Sequence, residues 1–258
     1  MNDVILECKG VTVRFGGLLA LNRLDLSVRR NEVVGLIGPN GSGKTTFFNA
    51  ISGVYSASGG SIIFGGRDVT RASARDLAAS GLARTFQRAR LCLPLSVFDN
   101  VVLGAHSRIN SGLLHNLVYR RAFRRELKAM IGEVRDLLAI FDPKLADRMF
   151  DRAISLGMID RRRVEICRAL LGRPSLLLLD EPSAGMTHDE TNQLMDEILQ
   201  IRPTFGDPTV IIVEHEMGLI ERVTNHCVVL NYGSKICEGP FHSVAADPVV
   251  REAYLGRT

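Results

Sequence analysis

The sequence predicts an α/β fold with a parallel β-sheet that is covered on both faces. Three continuous apolar runs are typical of strands in such a sheet: Val33–Ile37, Leu176–Leu179 and Val210–Val213. Segments with helical spacing of apolar residues alternate with the strand-like segments, which is typical of the α/β class. A glycine-rich segment follows the first run, and polar residues follow the other two, so we expect the functional residues at the carboxyl ends of these strands.

Shorter patterns at the two ends of the chain predict antiparallel strands. Val4–Val13 and Leu18–Val28 alternate apolar and polar residues, which favours antiparallel pairing. Near the other end, Val228–Leu230 and Lys235–Cys237 flank Asn231-Tyr232-Gly233-Ser234, which predicts a hairpin turn.

The middle of the chain, at about residues 89–172, predicts a helical insertion, because no convincing strand pattern occurs within it. Eight apolar residues recur there at helical spacing: Phe123, Leu127, Met130, Ile131, Val134, Leu137, Leu138 and Phe141. Ser107–Tyr119 is a looser stretch between helices. We therefore predict a single domain with an α/β core at 1–88 and 173–258 and a helical subdomain at 89–172.

Composition narrows the possible classes of protein. The 258 residues are 46% hydrophobic and 23% charged, as in ordinary globular proteins. No apolar run approaches the ~20 residues that span a bilayer, and no signal peptide is visible. The five cysteines are scattered without metal-ligand spacing, which favours a reducing cytoplasm.

The net charge of +4 is too mild to indicate a nucleic-acid partner. The basic runs Arg120-Arg121, Arg124-Arg125 and Arg161–Arg163 are interpreted as solvated helix faces, the alternative being proximity to anionic lipid headgroups. Aromatic residues do not interleave with them at a useful spacing, so we expect no nucleic-acid partner.

The segment after the first apolar run matches the phosphate-binding P-loop pattern G-x-x-x-x-G-K-[ST] and precedes a helical segment. Its residues are Gly38, Pro39, Asn40, Gly41, Ser42, Gly43, Lys44, Thr45 and Thr46. Glycines allow backbone N–H groups to surround an anion, and the helix N-terminus adds about half a positive charge. Lys44 can then bridge the β- and γ-phosphates of a nucleotide, and the Thr45 hydroxyl can bind Mg²⁺.

Two acidic residues, Asp180 and Glu181, follow the second apolar run. A strand there would bring both carboxylates to its C-terminal end, where open α/β sheets bind ligands. Asp180 would then hold Mg²⁺, directly or through water, and Glu181 would polarise the attacking water. The alternative is an acidic helix cap after a buried strand.

Two further polar residues are weaker candidates when each is taken alone. His215 ends the third apolar run and could donate a hydrogen bond to a γ-phosphate, although a lone histidine after a strand is usually structural. Gln87 follows a short apolar segment before the helical insertion and could sense Mg²⁺ and water.

In this order the motifs resemble the ATP-binding subunit of ABC transporters over nearly the whole chain. Four other strings are similar to the LivG-type family of branched-chain amino acid importers: Arg14–Leu21, Gly81–Gln87, Val213–Met217 and Glu252–Gly256. The resemblance implies a RecA-like P-loop NTPase core with an N-terminal antiparallel β subdomain and an inserted α-helical subdomain. It also implies ATP and Mg²⁺ as cofactors.

The resemblance assigns roles to residues by their position. Phe15 matches the aromatic residue that stacks on adenine, the alternative being a buried strand aromatic. Gln87 matches the loop that links the γ-phosphate site to the helical subdomain and the membrane partner. Glu181 matches the catalytic base and His215 the switch histidine, and we expect Thr45, Gln87 and Asp180 around the metal.

The family's Leu-Ser-x-Gly signature, which touches ATP bound to the opposite subunit, departs from its usual form here. If Ile154–Gly157 is the motif, Ser155 and Gly157 are in place, but two extra residues follow before the basic helix. If Arg162–Ile166 anchors the alignment instead, Gly157 takes the serine position and Ile159 the glycine position. The second alignment loses a hydroxyl and brings a β-branched side chain close to phosphate. We favour the first.

By resemblance, the chain is an ATP-hydrolysing subunit that pairs with a like subunit, as a homo- or heterodimer, beneath integral membrane permease subunits. We expect a peripheral location at the cytoplasmic face of the membrane and a periplasmic or extracellular solute-binding protein. Uptake of branched-chain or related hydrophobic amino acids follows from the same resemblance. An ABC exporter subunit and a soluble non-transport ABC ATPase remain alternatives. A regulatory subunit with poor hydrolysis is a third, motivated by the altered signature. Thr187 is a second departure from the family, because an acid or amide is frequent at its position.

Overall fold

The computed structural model describes residues 3–87, 90–106, 108 and 120–255. Apart from Arg108, the predicted loose stretch Ser107–Tyr119 lies outside the described residues, as does Gly256 of the C-terminal string. The chain divides into two compact units. The first unit comprises Met1–Arg84, Ser175–Pro182 and Pro208–Thr258, and the second comprises Thr85–Pro174 and Ser183–Asp207.

The strands all belong to the first unit. In chain order they are β1 (Val4–Phe15), β2 (Leu18–Arg29), β3 (Val33–Ile37), β4 (Gly59–Phe64), β5 (Arg67–Asp68), β6 (Leu82–Arg84), β7 (Leu176–Asp180), β8 (Thr209–Val213), β9 (His226–Asn231) and β10 (Ser234–Gly239). The helices are α1 (Lys44–Ile51), α2 (Ala74–Ala79), α3 (Val97–Val102), α4 (Arg120–Phe141), α5 (Pro143–Asp147), α6 (Met158–Leu171), α7 (His188–Ile201), α8 (Met217–Val223), α9 (Phe241–Ala246) and α10 (Pro248–Leu255). Helices α3 to α7 lie in the second unit and the others in the first.

The first unit contains two sheets, and both predicted sheet types are confirmed. The antiparallel sheet has the order β2-β1-β4-β5, and the second sheet has the order β10-β9-β3-β8-β7-β6. In the second sheet, β3 pairs in parallel with β8 and β9, and β7 pairs in parallel with β6 and β8. Strands β9 and β10 form the predicted antiparallel hairpin.

The three apolar runs form the buried centre of the second sheet. Every residue of β3, β7 and β8 is buried, because the sheet is covered on both faces. These strands are parallel neighbours, so their carboxyl ends meet at one edge. That edge carries the P-loop after β3, Asp180 and Glu181 at β7, and His215 after β8.

The second unit is built from helices, as the spacing of apolar residues predicts. In α4, Val134, Leu137, Leu138 and Phe141 are at most 4% exposed and form its core face. Earlier in the same helix, Phe123 and Leu127 are about 40% exposed, so only its second half is packed as the periodicity suggests. None of the helices in the described part of the chain is long and apolar enough to cross a bilayer.

The residues Ser183–Asp207, which contain α7, belong to the second unit although the sequence analysis assigned them to the core segment 173–258. A largely buried ion pair between Arg163 on α6 and Glu197 on α7, 2.9 Å long, helps to hold α7 there. Helix α7 begins with a capping box in which Thr187 accepts a hydrogen bond from the Glu190 backbone and Glu190 accepts one from the Thr187 backbone.

The five cysteines are all free. Cys8, Cys167 and Cys227 are buried, Cys237 is half-buried and Cys92 is exposed. Burial raises the pKa of the Cys8 thiol to about 12 and also raises the pKa values of Cys167, Cys227 and Cys237. These four thiols therefore remain protonated at neutral pH.

Candidate active site

The P-loop joins β3 to α1 through three glycines with backbone angles that side chains disfavour. Gly38, Gly41 and Gly43 have φ values of 148°, 79° and 106°. At Gly38 there is also no space for a side chain, because a Cβ atom would lie 2.1 Å from the Leu230 carbonyl oxygen. The loop can therefore present its backbone N–H groups to an anion only with glycine at this position.

Lys44 is the first residue of α1, and its ammonium group is held inside the loop. The Nζ atom donates hydrogen bonds to the Gly38 oxygen at 2.6 Å and to the Pro39 oxygen at 3.1 Å. Burial lowers the pKa of Lys44, while the carboxylates of Glu181 and Asp180 act in the opposite direction. The lysine is thus positioned at the loop by carbonyl groups and lies in the field of both acidic residues.

The hydroxyl groups of the loop are suited to a phosphate and a metal ion. Ser42 Oγ is buried and has no hydrogen-bond partner among the described residues, which leaves it available to an incoming ligand. Thr45 is exposed and Thr46 is half-buried. Thr45 and Asp180 supply hydroxyl and carboxylate oxygens, the donors that Mg²⁺ prefers, so these residues fit a magnesium ion.

Glu181 and His215 form a direct pair at the edge of the sheet. His215 Nε2 lies 2.7 Å from Glu181 Oε1, and the Glu181 backbone N–H donates to the Val213 oxygen at 2.9 Å. Glu181 has a φ of 47°, a left-handed conformation that is uncommon for residues other than glycine and is often found at functional sites. This geometry fixes the direction in which the carboxylate points and brings together two residues that the sequence singled out separately.

Asp180 has a charged partner that the sequence analysis missed. Arg84, at the end of β6, places Nη2 2.7 Å from Asp180 Oδ2, and both side chains are at most 7% exposed. Arg84 Nη1 also donates to Asn49 Oδ1 on α1 at 2.7 Å and to Ser52 Oγ, which directly follows α1, at 3.0 Å. The guanidinium group therefore connects Asp180, at the end of β7, to α1, the helix that follows the P-loop.

A cleft of about 350 Å³ lies over the P-loop in the first unit. It brings together several predicted site residues, namely Phe15, Asn40–Thr46, Glu181 and His215. Phe15 is 45% exposed and packs edge-on against Tyr55 with ring centroids 5.0 Å apart, so it is not a buried strand aromatic. The cleft is also lined by Tyr232, which the sequence analysis noted only as part of a turn.

Gln87 lies in the second unit, in a segment that is held by α6. Arg162 donates hydrogen bonds to the Phe86 oxygen at 2.5 Å and to the Gln87 oxygen at 2.9 Å. The partner of Arg162 is Glu165, at 2.6 Å, and Glu165 also accepts from the Phe86 backbone N–H at 3.3 Å. This buried pair anchors the backbone of the glutamine segment, while the Gln87 residue itself is exposed.

The signature region also lies in the second unit. Ser155 is in a short 3₁₀ turn, where its hydroxyl donates to the Arg152 oxygen at 2.8 Å and accepts from Arg148 at 3.1 Å. Gly157 is the N-cap of α6, which then runs as one helix from Met158. The helix N-terminus thus begins at Gly157 without a side-chain cap, and the roles of Ser155 and Gly157 stay predictions.

Comparison with known families places this site in context. The sequence profile described as "ABC transporter" matches residues 21–184, which is more than half of the chain. The chain belongs to the ABC transporter family. A second profile, described as "Branched-chain amino acid ATP-binding cassette transporter", matches residues 234–258 of this ABC protein.

Full-length relatives of this ABC protein are transport ATP-binding proteins. It is 38% identical over 257 residues to the high-affinity branched-chain amino acid transport ATP-binding protein BraF of Pseudomonas aeruginosa, covering 99% of both chains. It is 34% identical over 256 residues to the corresponding LivG protein of Escherichia coli, again covering 99% of both. The resemblance inferred from the motifs is thereby confirmed, and the chain is an ATPase subunit of the ABC class.

Solved structures confirm the fold. The chain matches a nucleotide-free ATP-binding cassette of an ABC transporter with a TM-score of 0.82 and 28% identity, covering 98% of this chain and 100% of the other. It matches an ADP-bound cassette of an ABC transporter with a TM-score of 0.82 and 29% identity, covering 98% and 99%. Nucleotide binding is thus a property of the ATP-binding cassettes of this family.

Proposed function

We propose that this ABC subunit binds Mg·ATP in the first-unit cleft and hydrolyses it to power uptake of branched-chain or related hydrophobic amino acids. The observation that carries the proposal is the 38% identity to BraF along 99% of both chains. A subunit that is similar to an importer ATPase from end to end, including the C-terminal region at 234–258, is best explained by the same class of transport.

The proposed chemistry assigns one task to each part of the cleft. The backbone N–H groups of Gly38–Thr46 and the Lys44 ammonium bind the phosphates, and the Ser42 hydroxyl finds a partner there. Thr45 and Asp180 would hold Mg²⁺, which would supply positive charge against the phosphate oxygens. A role of Gln87 at the metal stays a prediction from the resemblance. Phe15 contacts the adenine ring.

Hydrolysis requires a base beside the γ-phosphate. Glu181 accepts a proton from the attacking water, and general-base help of this kind contributes about 10²- to 10⁴-fold to a rate. His215, 2.7 Å from Glu181, orients that carboxylate and can donate a hydrogen bond to the γ-phosphate. Ser155 and Gly157 would contact ATP on the opposite subunit of a homo- or heterodimer.

The partners and location follow from the same proposal. The subunit would sit at the cytoplasmic face of the membrane as a peripheral protein, bound to integral membrane permeases. A periplasmic or extracellular solute-binding protein would deliver the amino acid, and no nucleic acid takes part. ATP would favour the closed pair of ATPase subunits and hydrolysis would reopen it.

Reconstitution tests the proposal directly. The chain, purified with its permease subunits and placed in proteoliposomes, should hydrolyse ATP faster when solute-binding protein loaded with leucine is present on the opposite side. Binding protein loaded with a polar amino acid such as glutamate is the control. A rate that is indifferent to every branched-chain amino acid would contradict the substrate class, and a chain that hydrolyses no ATP would contradict the chemistry.

A further inference from the structure

Tyr232 occupies an unfavourable position for an aromatic residue. Asn231 and Ser234 pair across the β9–β10 hairpin, so the loop consists of Tyr232 and Gly233 alone. Their φ values are 45° and 76°, as in a type I′ turn, in which both central residues are left-handed. Asparagine, aspartate or glycine is preferred at the first of these positions, because other side chains are strained there.

The backbone of this turn is fixed against the P-loop. The Gly233 N–H donates to the Ser42 oxygen at 2.9 Å, and the Asn22 N–H donates to the Gly233 oxygen at 2.8 Å. A Cβ atom at Gly233 would lie 2.6 Å from the Ala20 oxygen, which shows how closely the turn packs on β2. The position of Tyr232 relative to the phosphate-binding loop is therefore set by the backbone.

The side chain of Tyr232, in contrast, contributes little to packing. It is 86% exposed, yet it lines the same cleft as Phe15 and the P-loop. Folding gains almost no hydrophobic stabilisation from a ring that remains in water, and the turn itself would prefer another residue. An exposed aromatic ring that is carried by a fixed backbone turn beside the P-loop has the properties of a base-stacking surface.

We propose that Tyr232 stacks on the purine base of the bound nucleotide and forms, with Phe15, a second aromatic wall of the cleft. This inference rests on the proposed function, because it requires ATP in the first-unit cleft. Phe15 approaches from the end of β1 and Tyr232 from the β9–β10 turn, so the base would be contacted by side chains from both sheets of the first unit. The phosphates would bind the P-loop, which lines the same cleft.

The test separates base binding from phosphate binding. Calorimetry should measure the affinities of the full chain for Mg·ATP and for magnesium tripolyphosphate, which lacks a base. Tyr232→Asn should weaken Mg·ATP binding about tenfold, within the range of a lost base–aromatic stack, and leave tripolyphosphate binding unchanged. Its melting temperature without ligand should equal or exceed that of the original chain, because asparagine suits the turn.

Two further variants act as controls. Tyr232→Phe keeps the ring and should bind Mg·ATP more tightly than Tyr232→Asn does. Phe150→Asn removes an aromatic ring that is 61% exposed in the second unit and should leave both affinities unchanged.

Either of two results would overturn the role of Tyr232 and leave the proposed function intact. Unchanged Mg·ATP affinity in Tyr232→Asn would show that the ring does not contact the base. An equal loss for Mg·ATP and tripolyphosphate would show that the substitution acts through the P-loop. If the original chain bound neither ligand, the proposed function would fail and the inference with it.

Discussion

At the scale of single residues, the charged groups of the candidate site are paired with other groups of the protein. Asp180 is paired with Arg84, Glu181 with His215, and the Lys44 ammonium with two loop carbonyls. Such pairing pre-organises the groups, because a ligand then meets side chains in defined positions rather than in a distribution of rotamers.

Lys44→Ala should reduce the affinity for Mg·ATP about 10- to 100-fold, because a charge-assisted contact to phosphate is typically worth about 1.5–3 kcal/mol. Titration with a fluorescent ATP analogue measures this change. Lys9→Ala is the matched control, since Lys9 is exposed and forms an ion pair with the nearby Glu7 on the same strand. Retained affinity in Lys44→Ala would contradict the phosphate role of the lysine.

Arg84→Met should lower the free energy of unfolding by about 3 kcal/mol, because it leaves the buried Asp180 carboxylate without its guanidinium partner. Urea denaturation followed by circular dichroism gives the value. The double variant Arg84→Met/Asp180→Asn should recover part of the loss, since no buried charge is then left unpaired. A loss below about 0.5 kcal/mol in the single variant, as for an exposed pair, would show that the ion pair is not stabilising.

The contribution of Arg84 illustrates what sequence patterns cannot reveal about a site. The P-loop and the Asp180-Glu181 pair are visible because their chemistry requires contiguous residues after an apolar run. The partner of Asp180 lies 96 positions away on a three-residue strand, and its identity depends on strand order in the folded sheet. The left-handed turn beneath Tyr232 is predictable, but its hydrogen bonds to the P-loop are not.

At the scale of elements, strands that are buried on both faces were the most predictable part of the fold. Strands β3, β7 and β8 appear where their apolar runs lie, and α4 appears where the helical spacing lies. Strands β4 and β5 were missed, because they are short and their alternation is interrupted by glycines and charged residues. The burial of only half of α4 could not be predicted either. Periodicity shows which face of a helix is apolar, but not which part of the helix packs against other elements.

Helix α6 stabilises the glutamine segment, and Arg162→Met tests how much. The change removes the 2.6 Å partner of the buried Glu165, which keeps Arg168 at 3.6 Å, and it removes two hydrogen bonds to the carbonyls of Phe86 and Gln87. We expect a loss of about 3 kcal/mol in the free energy of unfolding.

The matched control for this prediction is Arg148→Met. Arg148 forms an ion pair with Asp151 at the same i, i+3 spacing, but the two side chains are 38% and 51% exposed. Its loss should cost no more than about 1 kcal/mol, as for other surface pairs. Thermal or chemical denaturation of both variants measures the two losses. Equal losses would show that the buried Arg162–Glu165 pair stabilises the fold no more than an exposed pair does.

At the scale of the whole molecule, Glu181→Gln should separate ATP binding from turnover. The amide cannot accept a proton from water, so hydrolysis should slow by at least about 10²-fold while ATP still binds. Because ATP would favour the closed pair of subunits, the variant should accumulate as a dimer when Mg·ATP is present. Light scattering after size-exclusion chromatography measures the dimer, and a phosphate-release assay measures turnover.

Glu238→Gln provides the control, because Glu238 is a 45% exposed carboxylate on β10 that forms an ion pair with Lys235. It should hydrolyse ATP at the original rate and form no persistent dimer. Unchanged turnover in Glu181→Gln would reject the assignment of the base, whatever its oligomeric state.

The distribution of thiols offers a practical route to observing this ATPase at work. Thiol-directed dyes react with the thiolate, and burial shields Cys8, Cys167 and Cys227, while Cys237 is half-buried. The remaining one, Cys92, is exposed and lies in the helical unit. A maleimide fluorophore should therefore attach to the natural chain mainly at Cys92, with the half-buried Cys237 as the slower competing site, and its emission would track the helical unit through a catalytic cycle.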